Sequence, residues 1–243
     1  MNTPRHYLAA VRHILDHLEQ TQLPALERAA DLVVHALTNK GAVFCAEIGH
    51  GIQGDFINRA GGLAALQSFA CKLDLQERTA KALDRKNPNR DLETMRFAVQ
   101  TSTLRAGDVL VLGSVSGKNR GPIELALACR EKKVRTIGIT SFTYTAAVES
   151  LHPSGQKLKD VVDVALDNGA PYGDAAVEIP GYDFKVLPVS GVSAAVIGHM
   201  IWGRVMEKLA AAGHPATAFQ SINRENGPEF YKTMVEQFEG QGY

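Results

Sequence analysis

The stretch of sequence that decides the fold leads from an apolar run through a polar loop into a helical pattern. It reads Asp108-Val-Leu-Val-Leu-Gly113-Ser114-Val115-Ser116-Gly117-Lys118-Asn119-Arg120-Gly121-Pro122. Residues 109–112 are apolar without alternation, which is typical of a strand buried on both faces of a parallel sheet. Residues 123–130 continue with helical spacing. The sequence therefore predicts a strand–loop–helix unit of an α/β fold.

Strands and helices alternate outward from this unit. Further strands are predicted at residues 42–48, 134–139 and 161–166. Helices are predicted as a pair over 7–40 that breaks near Pro24, through Phe56 and Ile57, and at 92–99, 144–151, 192–209 and 228–238. The charged stretch 73–90 is interpreted as a solvated connection. No linker divides the 243 residues, so we expect one domain: a helical pair (3–40), a sheet core (42–190) and C-terminal helices (191–240).

Charge and cysteine content exclude several classes of protein. Lys plus Arg (26) balance Asp plus Glu (26) and are scattered, so we expect no nucleic-acid partner. The three cysteines (Cys45, Cys71 and Cys129) are odd in number and lack metal-type spacing, which fits reduced thiols in the cytoplasm. No apolar leader and no membrane-spanning stretch is visible, so we expect a cytoplasmic protein without a membrane partner.

The loop after residue 112 has the composition of an anion site. Hydroxyl and amide side chains at Ser114, Ser116 and Asn119 stand among glycines, with a helix N-terminus behind them. Backbone N–H groups and the helix dipole favour a phosphate there. A Walker A loop is disfavoured, because only three residues precede the Gly-Lys pair and Asn119 follows it. The structural alternative is a loop that only turns the chain from strand to helix.

Four segments resemble a known family. Ser114-Val-Ser-Gly-Lys-Asn119 is similar to the Ser-x-Ser-Gly-x-Thr segment of the sugar isomerase (SIS) domain, with Asn119 in place of threonine. The run ending in Thr140-Ser141 resembles the next strand of that family. Two later runs, at 151–158 and 167–175, resemble a stand-alone subgroup similar to phosphoheptose isomerase. The resemblance covers nearly the whole chain.

This resemblance carries expectations about fold, ligand and assembly. It implies a three-layer αβα sandwich of flavodoxin type, with a five-stranded parallel sheet, assembled as a homodimer or homotetramer with sites near subunit interfaces. The ligand would be a phosphorylated or otherwise anionic sugar, bound without a cofactor and without a metal. The phosphate site would comprise Ser114, Ser116, Gly117, Lys118 and Asn119, with Thr140 and Ser141 nearby.

A glycine-rich turn after the first strand permits two interpretations. Gly49-His50-Gly51-Ile52-Gln53-Gly54 satisfies the Gly-x-Gly-x-x-Gly pattern of dinucleotide sites, so a nicotinamide-binding oxidoreductase is an alternative. Against it, two helices precede this strand, and Asp74 is an uncertain ribose ligand. In the SIS interpretation Gly49 and Gly51 let the backbone approach the sugar. Glu47 and His50 then become acid–base candidates, although Glu47 has the alternative of capping a backbone N–H.

Other polar residues are weaker candidates. His152 and Ser154 share a loop that either reaches the sugar or packs structurally, while Asp174 and Glu178 are alternative bases after the fourth strand. His199 lies on the long helix, where phosphoheptose isomerases carry a functional histidine. The alternative for it is a buried core residue. His13 and His17 have the spacing of metal ligands, but a solvated helix face is the preferred interpretation.

The function expected from these features is a cofactor-independent aldose–ketose isomerase acting on a sugar phosphate. Glu47 with His50 or His152 would transfer protons through an enediol. The alternatives are a phosphosugar lyase, as in the related N-acetylmuramate-phosphate etherases, and a sensor that binds the phosphosugar without converting it. A serine hydrolase is disfavoured, because the sequence has no Gly-x-Ser-x-Gly elbow.

Overall fold

The computed structural model describes residues 2–74, 76 and 87–243. Its centre is a five-stranded, all-parallel sheet with the order β2-β1-β3-β4-β5. The strands are β1 Val43–Cys45, β2 Leu66–Ser68, β3 Val109–Gly113, β4 Arg135–Thr140 and β5 Val164–Asp167. A separate antiparallel pair joins β6 Ala175–Val177 to β7 Val186–Pro188. The parallel five-stranded sheet confirms the expected fold class.

Eight α-helices are described, and those in contact with the core flank the sheet on both faces. They are α1 Thr3–Thr21, α2 Leu23–Thr38, α3 Arg90–Thr101, α4 Arg120–Glu131, α5 Phe142–Ala146, α6 Leu158–Val161, α7 Ser190–Ala211 and α8 Gly227–Gln241. One hydrophobic cluster joins α1, α2 and α7 to one sheet face, and a second joins α3, α4 and α6 to the other. None of the helices in the described residues is both long and apolar enough to span a bilayer.

Alternation along the strands builds the two clusters. In β3, Val109 and Val111 face the first cluster, whereas Leu110 and Leu112 face the second. Successive side chains of a strand point to opposite faces, so an uninterrupted apolar run fills both sides of the sheet. Cys45 is buried within this packing, and burial raises the pKa of its thiol to about 12. This thiol therefore packs as a small apolar side chain.

Several local predictions differ from the structure. Strand β2 and the β6–β7 pair are not among the strands predicted from the sequence. The helix predicted over 144–151 is instead the shorter α5 at Phe142–Ala146, and the strand predicted from residue 161 begins at Val164, after the turn of α6. Part of the predicted connection 73–90 lies outside the described residues.

Candidate functional site

An open cleft of about 830 Å³ lies where β1 and β3 end. Its walls come from the turn after β1, the loop between β3 and α4, the first turn of α4, and residues of α3, α5 and the 173–175 turn. Ligands of open parallel sheets sit beyond the carboxyl ends of the strands. The cleft thus occupies the place where the sequence predicts the anion site.

The loop 114–119, here called the serine loop, holds an unpartnered hydroxyl. Ser114 is 8% exposed, and its Oγ is buried without a hydrogen-bond partner among the described residues. Its N–H donates to the carbonyl of Ile139 at 3.1 Å, and its carbonyl accepts from the N–H of Gly117 at 3.1 Å, so the backbone is held on both sides. Asn119 is the extended N-cap residue of α4, and its exposed side chain makes no capping bond.

Two threonines support the serine loop from behind. The loop includes Gly117, whose φ of +65° lies in the left-handed region that favours glycine. The hydroxyl of Thr145 donates to the carbonyl of Ser116 at 3.1 Å, that of Thr140 donates to the carbonyl of Val115 at 3.3 Å, and the two hydroxyls lie 3.2 Å apart. Thr140 is completely buried and does not line the cleft. Its predicted role as a ligand contact is therefore corrected to support of the loop.

Ser141 and Lys118 also lie outside the cleft lining. The Ser141 hydroxyl donates to the carbonyl of Ala170 at 2.5 Å and accepts from the N–H of Tyr144 at 2.9 Å, so it caps α5. Lys118 contributes its carbonyl, which accepts from the N–H of Leu151 at 3.0 Å. Both residues were expected at the ligand; Ser141 is instead a helix cap, whereas a ligand contact by the Lys118 side chain stays a prediction. Because a cap must point back at its own helix, the Ser141 hydroxyl is unavailable to a ligand.

The turn after β1 carries Glu47 and His50 into the cleft. Both side chains are exposed, and neither has a hydrogen-bond partner among the described residues. The structure does not show the alternative in which Glu47 caps a backbone N–H. Gly49, His50 and Gly51 have φ values of +31°, +48° and +88°, so His50 occupies a conformation that costs a non-glycine residue about 1–2 kcal/mol. Strained residues of this kind are concentrated at functional sites.

The segment after this turn does not form the helix predicted through Phe56 and Ile57. It forms a four-residue 3-10 helix, Ile52–Asp55. In a dinucleotide site the glycine turn opens a full α-helix, whose N-terminus holds the pyrophosphate. This segment provides no such helix, so the structure gives no support to the dinucleotide alternative.

His152 lies in a different pocket, of about 370 Å³, that shares no lining residue with the cleft among the described residues. Its Nε2 lies 2.8 Å from Oε2 of buried Glu124, and its Nδ1 lies 2.8 Å from the Ser154 hydroxyl and accepts the Ser154 N–H at 3.2 Å. Because Nδ1 accepts, Nε2 carries the proton and donates to Glu124. Arg96 pairs with the other carboxylate oxygen of Glu124. His152 and Ser154, both predicted near the sugar, form a network between α4 and the loop before α6.

Asp174 lines the cleft but is engaged as a helix cap. Its Oδ1 accepts from the N–H groups of Ser190 at 2.8 Å and Val189 at 3.2 Å, and its Oδ2 accepts from the Ser190 hydroxyl at 2.6 Å. These bonds satisfy donors at the start of α7. The structure thus gives Asp174 a capping role in addition to its predicted position at the site.

Glu178 and His199 lie away from the cleft. Glu178 is exposed on the loop between β6 and β7 and pairs with Lys185 at 3.5 Å. His199 is exposed on α7 and contacts Phe56 edge-on, with ring centroids 5.4 Å apart. Neither faces the glycine turn or the serine loop. The interpretation of His199 as a buried core residue is wrong, because its side chain is on the outer side of the helix.

His17 does not lie on a freely solvated helix face. Its Nε2 is 3.1 Å from Oδ2 of Asp167, and its ring packs against Gly169. His13 is exposed. Across residues 2–74, 76 and 87–243, no group of three or more His, Cys, Asp or Glu side chains has the arrangement of a metal site.

Sequence reasoning missed Tyr144 and the apolar wall of the cleft. Tyr144 of α5 lines one side, and Met95 of α3 with Leu125 of α4 line another. The position of Tyr144, four residues after the end of a parallel strand, was a usable signal. Met95 carried no such signal, because only the packing of α3 against α4 brings it to the cleft.

Comparison with known proteins agrees with this geometry. A model of the SIS domain matches residues 6–141. A UPF0309 protein of Listeria innocua is 31% identical over 238 residues, covering 96% of this chain and 94% of that protein. The phosphoheptose isomerase GmhA of Neisseria gonorrhoeae superimposes with a TM-score of 0.55 at 18% identity, covering 83% of this chain and 95% of that one. The sugar isomerase domain of an RpiR transcription factor of Sphaerobacter thermophilus gives 0.51 at 15% identity, covering 99% of both chains. These structural likenesses extend the shared fold over most of the molecule, and the family match confirms the resemblance seen in the sequence: the chain belongs to the SIS domain family.

Proposed function

We propose that the cleft binds the phosphate of a phosphorylated sugar at the serine loop and that the protein interconverts an aldose and a ketose without a cofactor. The observation that carries the proposal is the hydroxyl of Ser114, a residue that lines the cleft: this hydroxyl is buried and has no hydrogen-bond partner among the described residues. A buried hydroxyl without a partner costs about 1–3 kcal/mol, so its presence calls for a ligand or a water that pairs with it.

The surroundings of Ser114 favour an anion. The 12-residue helix α4 begins directly behind the loop, and its first turn (Gly121 and Pro122) lines the cleft. Free N–H groups and the partial positive charge of a helix N-terminus stabilise a phosphate by about 1 kcal/mol or more. Ser116 also lines the cleft, and its hydroxyl has no hydrogen-bond partner among the described residues. Recognition would thus come from neutral donors.

Glu47 and His50 line the cleft together with the serine loop, and they are the proposed proton-transfer groups. In the proposed reaction Glu47 removes the proton from C2 of the open-chain aldose, and the carbonyl oxygen on C1 takes a proton from His50. The resulting enediol loses the O2 proton to His50 and receives the C2 proton back from Glu47 at C1, which gives the ketose. Two acid–base groups are what this exchange requires.

Thermal unfolding of the full chain with glucose 6-phosphate, mannose 6-phosphate and ribose 5-phosphate tests the binding step. Free sugars, sulfonated sugars and NAD serve as comparison ligands. A ligand at one hundred times its dissociation constant adds about 2.7 kcal/mol of stability. Ser114→Ala should not destabilise the ligand-free protein, because its Oγ has no hydrogen-bond partner among the described residues, yet it should reduce the ligand shift. Ser68→Ala, at the exposed end of β2, should change neither. Stabilisation by NAD alone, or an undiminished shift in Ser114→Ala, would contradict the proposal.

Proton exchange followed by NMR with the stabilising sugar phosphate tests the chemistry. Glu47→Gln should lower turnover about 10²- to 10⁴-fold while leaving the thermal shift intact, because a general base acts on the reaction and not on the phosphate. Unchanged turnover would remove Glu47 from the mechanism.

A binding protein that does not convert its ligand is the second candidate. It is favoured by the lack of any hydrogen bond that orients Glu47 or His50 among the described residues, since catalytic groups are usually held by such partners. A ligand shift that depends on Ser114, without turnover in the NMR experiment, would support this candidate over the isomerase.

A further inference from the structure

Two tyrosines form an aromatic pair at the rim of the cleft. Tyr144 of α5 lines the cleft and is partly buried, whereas Tyr172 lies outside it beside Gly173 and is 64% exposed. Their ring centroids are 4.9 Å apart, with an angle of 64° between the planes. Neither hydroxyl has a hydrogen-bond partner among the described residues. An aromatic pair of which one ring is exposed, with hydroxyls that have no partners among the described residues, is a candidate contact surface beside the cleft.

The geometry of the pair leaves ring surface free for a ligand. In an edge-to-face arrangement one ring points its edge at the other, so the contact within the pair covers at most one face of each ring. An aromatic face is electron-rich and attracts polarised C–H groups, which a closed sugar ring presents together on one flat side. An open-chain sugar offers no such flat side.

Asp174 adds a hydrogen-bond acceptor on the same wall. It accepts three hydrogen bonds from the first residues of α7, whereas a carboxylate offers about four acceptor positions. Only one of the three reaches Oδ2, so that oxygen has capacity for one more donor. A sugar hydroxyl is a suitable donor. An aromatic face and a carboxylate acceptor together match the apolar and polar sides of one sugar ring.

We propose that Tyr144, supported by Tyr172, is a stacking platform that makes the cleft select the closed-ring form of an aldose phosphate. This inference rests on the proposed binding of phosphate at the serine loop, and it adds the form in which the sugar is taken up. Ring opening then has to occur in the cleft. In that step the anomeric hydroxyl loses its proton, the bond between C1 and the ring oxygen breaks, and the ring oxygen gains a proton.

Aldose phosphates and their reduced counterparts test the platform, because an alditol phosphate keeps the charge and the hydroxyls but cannot close a ring. The pairs are glucose and glucitol 6-phosphate, mannose and mannitol 6-phosphate, and ribose and ribitol 5-phosphate, each titrated by calorimetry. The wild type should bind the aldose of at least one pair about ten-fold more tightly than its alditol. In Tyr144→Ala that ratio should fall to about one, with the alditol affinity unchanged. Tyr144→Phe, which retains the ring, should keep the ratio.

Tyr182→Ala is the matched control. Tyr182 is an exposed tyrosine on the loop between β6 and β7, outside the cleft, so its removal should not change the ratio. Equal binding of aldose and alditol in the wild type, or an unchanged ratio in Tyr144→Ala, would overturn the platform while leaving phosphate binding intact. Failure of every phosphate compound to bind would instead overturn the proposed function, and with it this inference.

Discussion

Gly117 is a position in the serine loop that leaves no room for a side chain. A Cβ at this position would lie 2.6 Å from Oγ1 of Thr145 and 2.9 Å from Oγ1 of Thr140, and the φ of +65° is itself unfavourable for a side chain. The two threonine hydroxyls cannot simply retreat, because they hold the carbonyls of residues 115 and 116. The shape of the serine loop thus depends on the absence of one methyl group.

Gly117→Ala should therefore destabilise the protein more than a substitution that is strained by backbone conformation alone. Gly155→Ala is the matched control, since its φ is +71° but a Cβ there meets nothing within 4 Å. We expect Gly155→Ala to cost about 1 kcal/mol and Gly117→Ala about 1–3 kcal/mol more from the close contacts. Urea unfolding measures both free energies. If both variants lose the same free energy of unfolding, the two threonine side chains move aside without an energetic cost.

The candidate site was predictable at the residue scale only where neighbours in sequence carry the signal. Ser114, Ser116 and Asn119 were identified because a polar loop between a strand and a helix is a local pattern. Thr140 and Ser141 stand at the end of a strand in the same way, yet the Thr140 hydroxyl donates to a loop carbonyl and the Ser141 hydroxyl caps a helix. No local pattern distinguishes a hydroxyl that faces a ligand from one that satisfies the backbone.

At the scale of elements, the segment that follows the glycine turn packs against α7. Phe56, just after the 3-10 helix, is fully buried against α7, and a Cβ on Gly198 would lie 2.1 Å from its Cζ. The turn that carries Glu47 and His50 therefore leads directly into a segment that packs against α7 through Phe56. Glycine fits this crossing because a side chain there would have to displace the buried ring of Phe56.

Replacing each of two glycines of α7 by alanine should change the free energy of unfolding in opposite directions. Gly203 lies in the same helix, and a Cβ there meets nothing within 4 Å. Gly203→Ala should raise the free energy of unfolding by about 1 kcal/mol through helix propensity. Gly198→Ala should lower it by about 1–3 kcal/mol through overpacking against Phe56. Unfolding in urea gives both values, and a stabilised Gly198→Ala protein would contradict the described crossing.

The same crossing explains why His199 was hard to place from the sequence. Successive residues of an α-helix are rotated by about 100°, so a residue next to one that faces the core points elsewhere. Gly198 lies directly against Phe56, whereas His199 is exposed and contacts the same ring edge-on. Strand β2 was missed for a related reason, because three residues are too few to show a period, and only pairing with β1 identifies them as a strand.

Across the whole molecule, an ion-pair cluster joins α2 to α7. Glu27 of α2 accepts from Arg204 of α7 at 2.7 and 2.9 Å and pairs with Lys208 at 2.5 Å, and Lys208 also pairs with Asp31. The hydrogen bonds from Arg204, and then those from Lys208, lower the pKa of Glu27 to about 2. Glu27 and Arg204 are 177 positions apart in the chain, so their pairing exists only in the folded protein.

The lowered pKa predicts how stability falls in acid. In the folded protein Glu27 stays charged to a lower pH than in the unfolded chain, so its contribution is complete above about pH 5 and is lost as the pH falls towards about 2. Glu27→Gln should therefore be less stable than the wild type at pH 7, and the difference should shrink in acid and in high salt. Urea unfolding from pH 7 to 3 measures this. Glu19→Gln, on the exposed side of α1, should follow the wild-type curve, and a similar change in that variant would contradict the assignment.

The sequence by itself determined the alternation of strands and helices, the parallel sheet and the position of the serine loop, because apolar periodicity and loop chemistry are properties of neighbouring residues. It also carried the family resemblance that the match over residues 6–141 confirms. The single-domain organisation and the roles of the site residues stay predictions.

Only the tertiary structure decided which distant side chains share the cleft. It places Glu47, His50, Ser114, Tyr144 and Asp174 around one opening and sends His152, Glu178 and His199 elsewhere. The physical reason is that strand order, helix rotation and the direction of each hydroxyl are set by packing and hydrogen bonds between segments far apart in sequence. Those interactions leave no pattern among neighbouring residues, so they come into existence only when the chain folds.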